Sequence, residues 1–183
     1  MYVIDIIIFV CWAAFWIYWL AASVGVKSGR TRWGRFAGSR VAIILVLLLL
    51  VRLRFFKGRH TVVSDPLLQG IGLVIVLLGL GLAIWARVYL GRNWGMPMTE
   101  KADPELVTTG PYSTIRHPIY SGLILAMIGT AIAVSVYWLI AVVVLGGYFI
   151  YSAVIEERYM AGKFPDTYPR YQRETKMLIP YLV

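Results

Sequence analysis

The side chains best equipped for chemistry lie close together in one polar stretch. Residues 106–122 read LVTTGPYSTIRHPIYSG and bring together Gly110-Pro111, Tyr112, Arg116-His117, Pro118 and Tyr120, immediately before an apolar run that begins at Leu123. Pro111 fixes φ and suits a turn after Gly110. Pro118 lacks an N–H that would have no partner in the first turn of a helix. The pattern predicts a turn followed by a helix whose N-terminus carries His117, Ile119 and Tyr120. Such an end offers unpaired N–H groups and the positive pole of the dipole, which attract carboxylates and phosphates.

A second polar group, Glu156-Glu157-Arg158, stands where the following apolar stretch ends. If residues 119–155 fold as a helical hairpin, the chain returns to the side it left, and the two glutamates meet His117 and Tyr120. The resulting pocket combines an imidazole, two aromatic rings, a carboxylate pair and helix N–H groups beside apolar walls. Such a pocket suits a polar cofactor and a lipophilic acceptor. The plainer account is that His117 and Glu156 satisfy each other as buried polar groups, although ionisable groups at membrane depth point to function. No metal-ligand set can be written from two histidines, His60 and His117, and the single Cys11. No Ser-His-Asp or Cys-His arrangement stands out. Strand-turn-helix nucleotide fingerprints are missing, which excludes a soluble Rossmann-type site.

The elements that must hold these residues are membrane helices. Of the 183 residues, 60% are hydrophobic and 15% charged, and several apolar runs approach the roughly 20 residues that cross a bilayer. The net charge of +9 gathers beside those runs, which points to anionic lipid headgroups and away from nucleic acid. Residues 3–26 read as a first span, too long and without the basic start or cleavage signal of a signal peptide. Residues 27–40 carry Lys27, Arg30, Arg32, Arg35 and Arg40 and no acid, so they belong in the cytoplasm and the N-terminus outside. Residues 41–51 are short for a span, but Arg52 and Arg54 can snorkel and let Leu53, Phe55 and Phe56 lengthen it; a re-entrant segment is the rival reading. Residues 66–90 form the clearest span, with Gly70, Gly72, Gly79 and Gly81 permitting close packing and Arg87 near its end.

Residues 91–109 read as a polar cytoplasmic loop with Glu100, Asp103 and Glu105. The hairpin breaks near residues 135–137, and residues 159–183 form an amphipathic tail along the interface that covers the site. The expected fold is therefore an all-α integral membrane protein of about five transmembrane helices, with a C-terminal helical hairpin and a cytoplasmic cofactor pocket. It forms one domain, residues 1–183, with the first helices in 1–90 and the cofactor loop, hairpin and tail in 91–183.

Residues 106–122, the apolar hairpin, EER at 156–158 and YPRYQRETKMLIP at 168–180 together resemble the isoprenylcysteine carboxyl methyltransferase family of membrane enzymes, including its small bacterial and archaeal members. The resemblance covers residues 106–180, and the N-terminal half matches only in hydropathy. RHPxY alone is shared with phospholipid N-methyltransferases and membrane sterol reductases. The resemblance implies S-adenosylmethionine as methyl donor, bound at the cytoplasmic face of a bacterial inner membrane, and a lipophilic or prenylated acceptor entering from the bilayer. It also implies that Pro104, Glu105, Leu106 and Val107 line the adenosine part through backbone. Tyr112, His117, Pro118, Ile119 and Tyr120 form the core of the cofactor motif, and Glu156 supplies a contacting carboxylate. An acidic residue can pair with the methionyl ammonium, and helix-start N–H groups with Arg116 or His117 can hold its carboxylate.

One departure bears on the acceptor. Eukaryotic members carry an arginine that recognises the substrate carboxylate one turn before the first glutamate, where this chain has Ser152; many relatives also have arginine where Glu174 stands. Arg87, Arg158, Arg170 and Arg173 are the available substitutes, with Ser152, Arg87 and Arg173 as the substrate candidates. Carboxyl methylation needs no base, because the ionised acceptor attacks the methyl directly. An amine or thiol acceptor needs one, with Glu157 or His117 as candidates; Arg158 is the other catalytic candidate at this position. The expected activity is isoprenylcysteine-type carboxyl O-methylation. The alternatives are lipid N- or S-methylation, an NADPH-dependent reductase of the sterol type, and a non-enzymatic membrane scaffold. Replacing Ser152 with arginine is expected to improve turnover of a prenylcysteine.

Overall fold

Two long apolar helices begin and end where their local chemistry dictates. α1 (Val3–Ala21) is apolar beyond Asp5 in its first turn, and only Ile8 and Phe15, seven residues apart, are buried on it. α2 (Pro66–Leu90) starts at Asp65, whose carboxylate accepts from Leu67 N at 2.8 Å and Leu68 N at 3.2 Å, with Pro66 in the first turn. It stops at Gly91, which takes φ +53° and returns its N–H to Arg87 O. The computed structural model describes residues 3–24, 29–31, 62–95, 99–101 and 104–179.

After α2 come short 3-10 turns at Gly91–Asn93 and Gly110–Ser113. The hairpin follows as α3 (Pro118–Ala133) and α4 (Trp138–Lys163), and then the short α5 (Tyr168–Glu174). The hairpin breaks at residues 134–137, the place expected from the polar interruption in its sequence. Among the described residues, three helices are long and apolar enough to cross a membrane: α1, α2 with its 3-10 extension, and α4. α3 is also apolar but has only 16 residues, about 24 Å of helix. The expected second span, residues 41–56, lies outside the described residues.

The fold is not wholly helical. β1 (Gly29–Thr31) pairs antiparallel with β2 (Thr99–Lys101), Arg30 opposite Glu100. Extended loop backbone must find partners for its N–H and C=O groups, and here two loops supply each other's. The loop after α1 and the loop after α2 are thereby joined at one end of the bundle.

α2 and α3 pack antiparallel with their backbones almost touching. A Cβ on Gly79 would lie 2.5 Å from Ala126 N and 2.6 Å from Gly122 O, and one on Gly72 would lie 2.6 Å from Ala133 N and from Gly129 O. The contact thus uses glycines seven residues apart on both helices, Gly72 and Gly79 against Gly129 and Gly122. Gly70 and Gly81 face open space, so half of the expected glycine set has no part in the packing. α1 docks on this pair through Ile8 and Phe15, which cluster with Val76, Leu80, Ala83, Ala126 and Ala133. Trp12 Nε1 donates to Thr130 Oγ1 at 3.1 Å, which satisfies an indole N–H that lipid cannot.

Candidate functional site

A cavity of about 640 Å³ opens at the end of the bundle where α1 and α2 finish and α3 begins. The turn at Gly110 brings the chain into it. Gly110 takes φ +60°, and a Cβ there would lie 2.5 Å from the Tyr89 ring of α2, so glycine is required twice over, by conformation and by space. Pro111 and Tyr112 are buried behind this turn. The Tyr112 carbonyl accepts from Tyr171 OH at 2.6 Å, which docks α5 onto it. Burial pushes the phenols of Tyr112, Tyr168 and Tyr171 above their ordinary value.

Arg116 joins three segments. Its Nε donates to Glu157 Oε1 at 2.6 Å, and its Nη1 donates to Thr175 O at 2.5 Å and Gln172 O at 3.2 Å. Gln172 Nε2 donates to the other Glu157 oxygen at 2.8 Å. The tail after α5 then runs beside residues 114–117: Lys176 N donates to Thr114 O at 3.0 Å, Arg116 N to Lys176 O at 2.8 Å, and His117 N to Met177 O at 3.1 Å. Ser121 Oγ donates to Leu178 O at 2.5 Å. The expected interfacial tail is therefore a strap hydrogen-bonded to the backbone of the site, because the turn ahead of α3 leaves exposed N–H and C=O groups that an extended tail can satisfy.

His117 immediately precedes α3, with Pro118 in its first turn as expected. Its imidazole lies between the two glutamates, Nδ1 3.6 Å from Glu156 Oε2 and Nε2 3.4 Å from Glu157 Oε1. Its ring stacks on Tyr120 at 5.5 Å and 7°, and Tyr120 stacks on Phe149 of α4 at 5.0 Å and 10°. Tyr120 OH donates to Glu156 Oε1 at 2.7 Å. Asn93 Nδ2 donates to Glu105 Oε2 at 2.9 Å, tying residues 104–107 to the end of α2.

Ten of the residues singled out from sequence line this one cavity: Pro104, Glu105, Leu106, Val107, Tyr112, Arg116, His117, Ile119, Tyr120 and Glu156. Pro118 is buried beneath it. The others stand elsewhere. Glu157 does not itself line the cavity and has its oxygens on Arg116 and Gln172. Arg158 and Arg173 are exposed on the outside. Ser152 is fully buried and its hydroxyl donates to Tyr148 O at 2.8 Å, the back-bond of a helical serine. Arg87 is buried and turned to the backbone carbonyls of Gly91 and Ala22. Arg116 lines the cavity while its Nε and Nη1 donate to Glu157 and to the carbonyls of Gln172 and Thr175.

Sequence reasoning missed an aromatic wall made by Trp16 and Trp19 of α1, Trp94, Phe149, Tyr168 and Tyr171. A signal for part of it exists: Trp16, Trp19, Leu20 and Ser23 fall at helical spacing on one face of the chain leaving α1. In a helix apolar on all sides that stripe does not stand out.

Residues 68–167 match the phospholipid methyltransferase family. Among similar proteins, the cobalt-zinc-cadmium resistance protein CzcN of Cupriavidus metallidurans is 34% identical over 110 residues, 58% of this chain and 50% of that protein. The protein-S-isoprenylcysteine O-methyltransferase B of Arabidopsis thaliana is 27% identical over 146 residues, 76% of this chain and 72% of that protein. A solved structure of a eukaryotic intramembrane Ras methyltransferase, an isoprenylcysteine carboxyl methyltransferase, is 26% identical and has a TM-score of 0.48, covering 84% of this chain and 55% of that one. The chain spans about half the length of the bacterial relative.

Proposed function

The chain belongs to the phospholipid methyltransferase family, and from that premise we propose that it transfers a methyl group from S-adenosylmethionine to a lipophilic acceptor. One observation carries this reading: Tyr112, His117, Tyr120, Glu156 and residues 104–107 converge on a single cavity whose remaining wall is mostly aromatic and aliphatic. A volume of about 640 Å³ is in the range of sites that enclose a small organic molecule.

The donor set fits the cofactor. Glu156 is the carboxylate for a ligand ammonium, its oxygen held by Tyr120 OH. The free N–H groups at the start of α3, at Ile119 and Tyr120, suit a ligand carboxylate. Residues 104–107 offer backbone to a nucleoside, with Asn93 holding Glu105 in place. The rings of Tyr112, Trp19 and Trp94 line the cavity and exclude water. When bound, the cofactor supplies an electrophilic methyl group on a sulfonium. The protein orients the acceptor against that methyl by proximity. A carboxylate acceptor needs no base. For an amine or thiol acceptor, His117, which lines the cavity, is the base candidate.

The acceptor is either an isoprenylcysteine-type carboxylate or a lipid amine. The amine gains support from the wall itself, where Glu105 and Glu156 stand exposed to the ligand space while Arg116 is committed to Glu157 and the tail. The test is calorimetric titration of detergent-purified protein with S-adenosylhomocysteine and with NADPH. It is followed by transfer of labelled methyl to a prenylcysteine, phosphatidylethanolamine and a membrane lipid extract. Binding of S-adenosylhomocysteine alone is expected. Tight NADPH binding without it would defeat the proposal.

A further inference from the structure

Arg87 is a cation near the end of a membrane helix, yet it does not reach out to headgroups. It is 4% exposed, and among the described residues it has no carboxylate within ion-pair distance. Its Nη1 donates to Gly91 O at 2.6 Å and its Nη2 donates to Ala22 O. Ala22 follows the last residue of α1 and Gly91 follows the last residue of α2, so one guanidinium caps the C-terminal ends of both helices. Those ends carry unpaired carbonyls and the negative pole of each dipole, which explains a buried cation without an acidic partner. Arginine suits the task because its planar fork donates in two directions at once and also stacks on a ring.

The stack completes a chain of contacts. The guanidinium carbon of Arg87 lies 4.7 Å from the centroid of the Trp94 ring. Trp94 meets Trp19 edge to face at 5.6 Å, and Trp19 stacks on Phe15 at 5.0 Å, which is anchored in the core between the helices. Trp19 and Trp94 both line the cavity, and Trp16 lines it on the same helix.

We propose that Arg87 is the positioning residue for the apolar side of the cavity: it pins the end of α1 to the end of α2 and so holds the tryptophan wall against which the acceptor's apolar chain lies. The word "acceptor" rests on the methyl-transfer reading; the pin between the two helices does not. Arg87 touches neither cofactor nor acceptor in this assignment and acts through Trp94, Trp19 and the α1 terminus.

The test separates the two. In a Cys11→Ala background, spin labels at Val24→Cys and Arg92→Cys report the distance between the ends of α1 and α2 in detergent and in liposomes. Arg87→Met keeps the length of the side chain and removes its donors. It is expected to broaden that distance distribution, to raise KM for the lipophilic acceptor roughly tenfold, as loss of a charge-assisted contact does, and to leave S-adenosylhomocysteine affinity unchanged. Should Arg87→Met not yield folded protein, Arg87→Lys gives the same reading, since one ammonium cannot span both carbonyls and stack on Trp94. An unchanged acceptor KM, with or without broader distances, overturns the proposal, as does an unchanged distribution. If the unsubstituted protein binds no S-adenosylhomocysteine and methylates nothing, the methyl-transfer reading fails while the label distances still decide whether Arg87 pins the helices.

Discussion

Glu156 and Glu157 are neighbours in sequence with opposite duties, because successive residues on a helix point about 100° apart. Glu156 lines the cavity, held by Tyr120 OH; Glu157 is buried against Arg116 and Gln172. Their substitutions should separate accordingly. Glu156→Gln is expected to weaken S-adenosylhomocysteine binding by about 1.5–3 kcal/mol, the worth of a hydrogen bond to a charged group, with little change in thermal stability; calorimetry and a melting curve read the two. Arg116→Gln removes the charge from a pair whose side chains are each 10% exposed, leaves Glu157 uncompensated, and should cost about 3–5 kcal/mol in stability, read as a lower Tm in detergent. Ser152→Arg should now lower Tm without any gain with a prenylcysteine, since the site is fully buried and an added guanidinium overpacks it. The buried tyrosines set an alkaline limit. Burial raises the pKa of Tyr112, Tyr168 and Tyr171, so the folded state keeps phenols neutral that the unfolded chain ionises near pH 10. Their contribution is fully present below about pH 10 and is lost as pH climbs toward the raised folded values; the share of phenolate absorbance that these three supply should appear only together with unfolding.

At the scale of elements, the α2–α3 contact and the tail strap carry the site. Gly79→Ala and Gly72→Ala place a methyl against neighbouring backbone, which cannot move aside as a side chain does. Each is expected to cost about 1–3 kcal/mol, as overpacking does. Gly70→Ala and Gly81→Ala meet open space and should be neutral or slightly stabilising, as Ala favours helix over Gly. Four melting curves in one detergent check the pattern, and equal losses at all four would refute the packing argument. The strap explains why the C-terminal segment belongs to the site: it satisfies the backbone of residues 114–117, and Tyr168 and Tyr171 complete the cavity wall.

For the whole molecule, the capping of α1 and α2 by one arginine fixes their relative direction. Both C-terminal ends lie together at the cavity, while Trp12 in mid-α1 reaches Thr130 near the far end of α3. α1 and α2 therefore run parallel, and the chain that leaves α1 beside Arg87 must resume at Asp65, at the opposite end of α2. The expected second span, outside the described residues, would make that return in a single crossing. Labels introduced near Lys57 and near Thr167 in oriented vesicles are expected to react from opposite sides; labelling from the same side would contradict a crossing.

What the sequence determined by itself is local or compositional. Apolar runs and flanking charge announced helices for a membrane, Gly110-Pro111 and Pro118 announced a turn and a helix start, and the polar interruption at residues 135–137 announced the hairpin. Ten of the candidate ligand residues were legible because they lie in two short segments joined by that hairpin. Tertiary structure alone decided the rest. Which of two adjacent glutamates faces the cavity depends on helix rotation, which an almost uniformly apolar helix does not encode. Which two of four glycines meet α3 depends in the same way on the rotation of α2. That Arg87 caps two helices, that Arg116 is consumed by Glu157 and the tail, and that tryptophans of α1 form the far wall are all contacts between distant residues. No pattern along one segment records them, because their partners are brought together only when the helices pack.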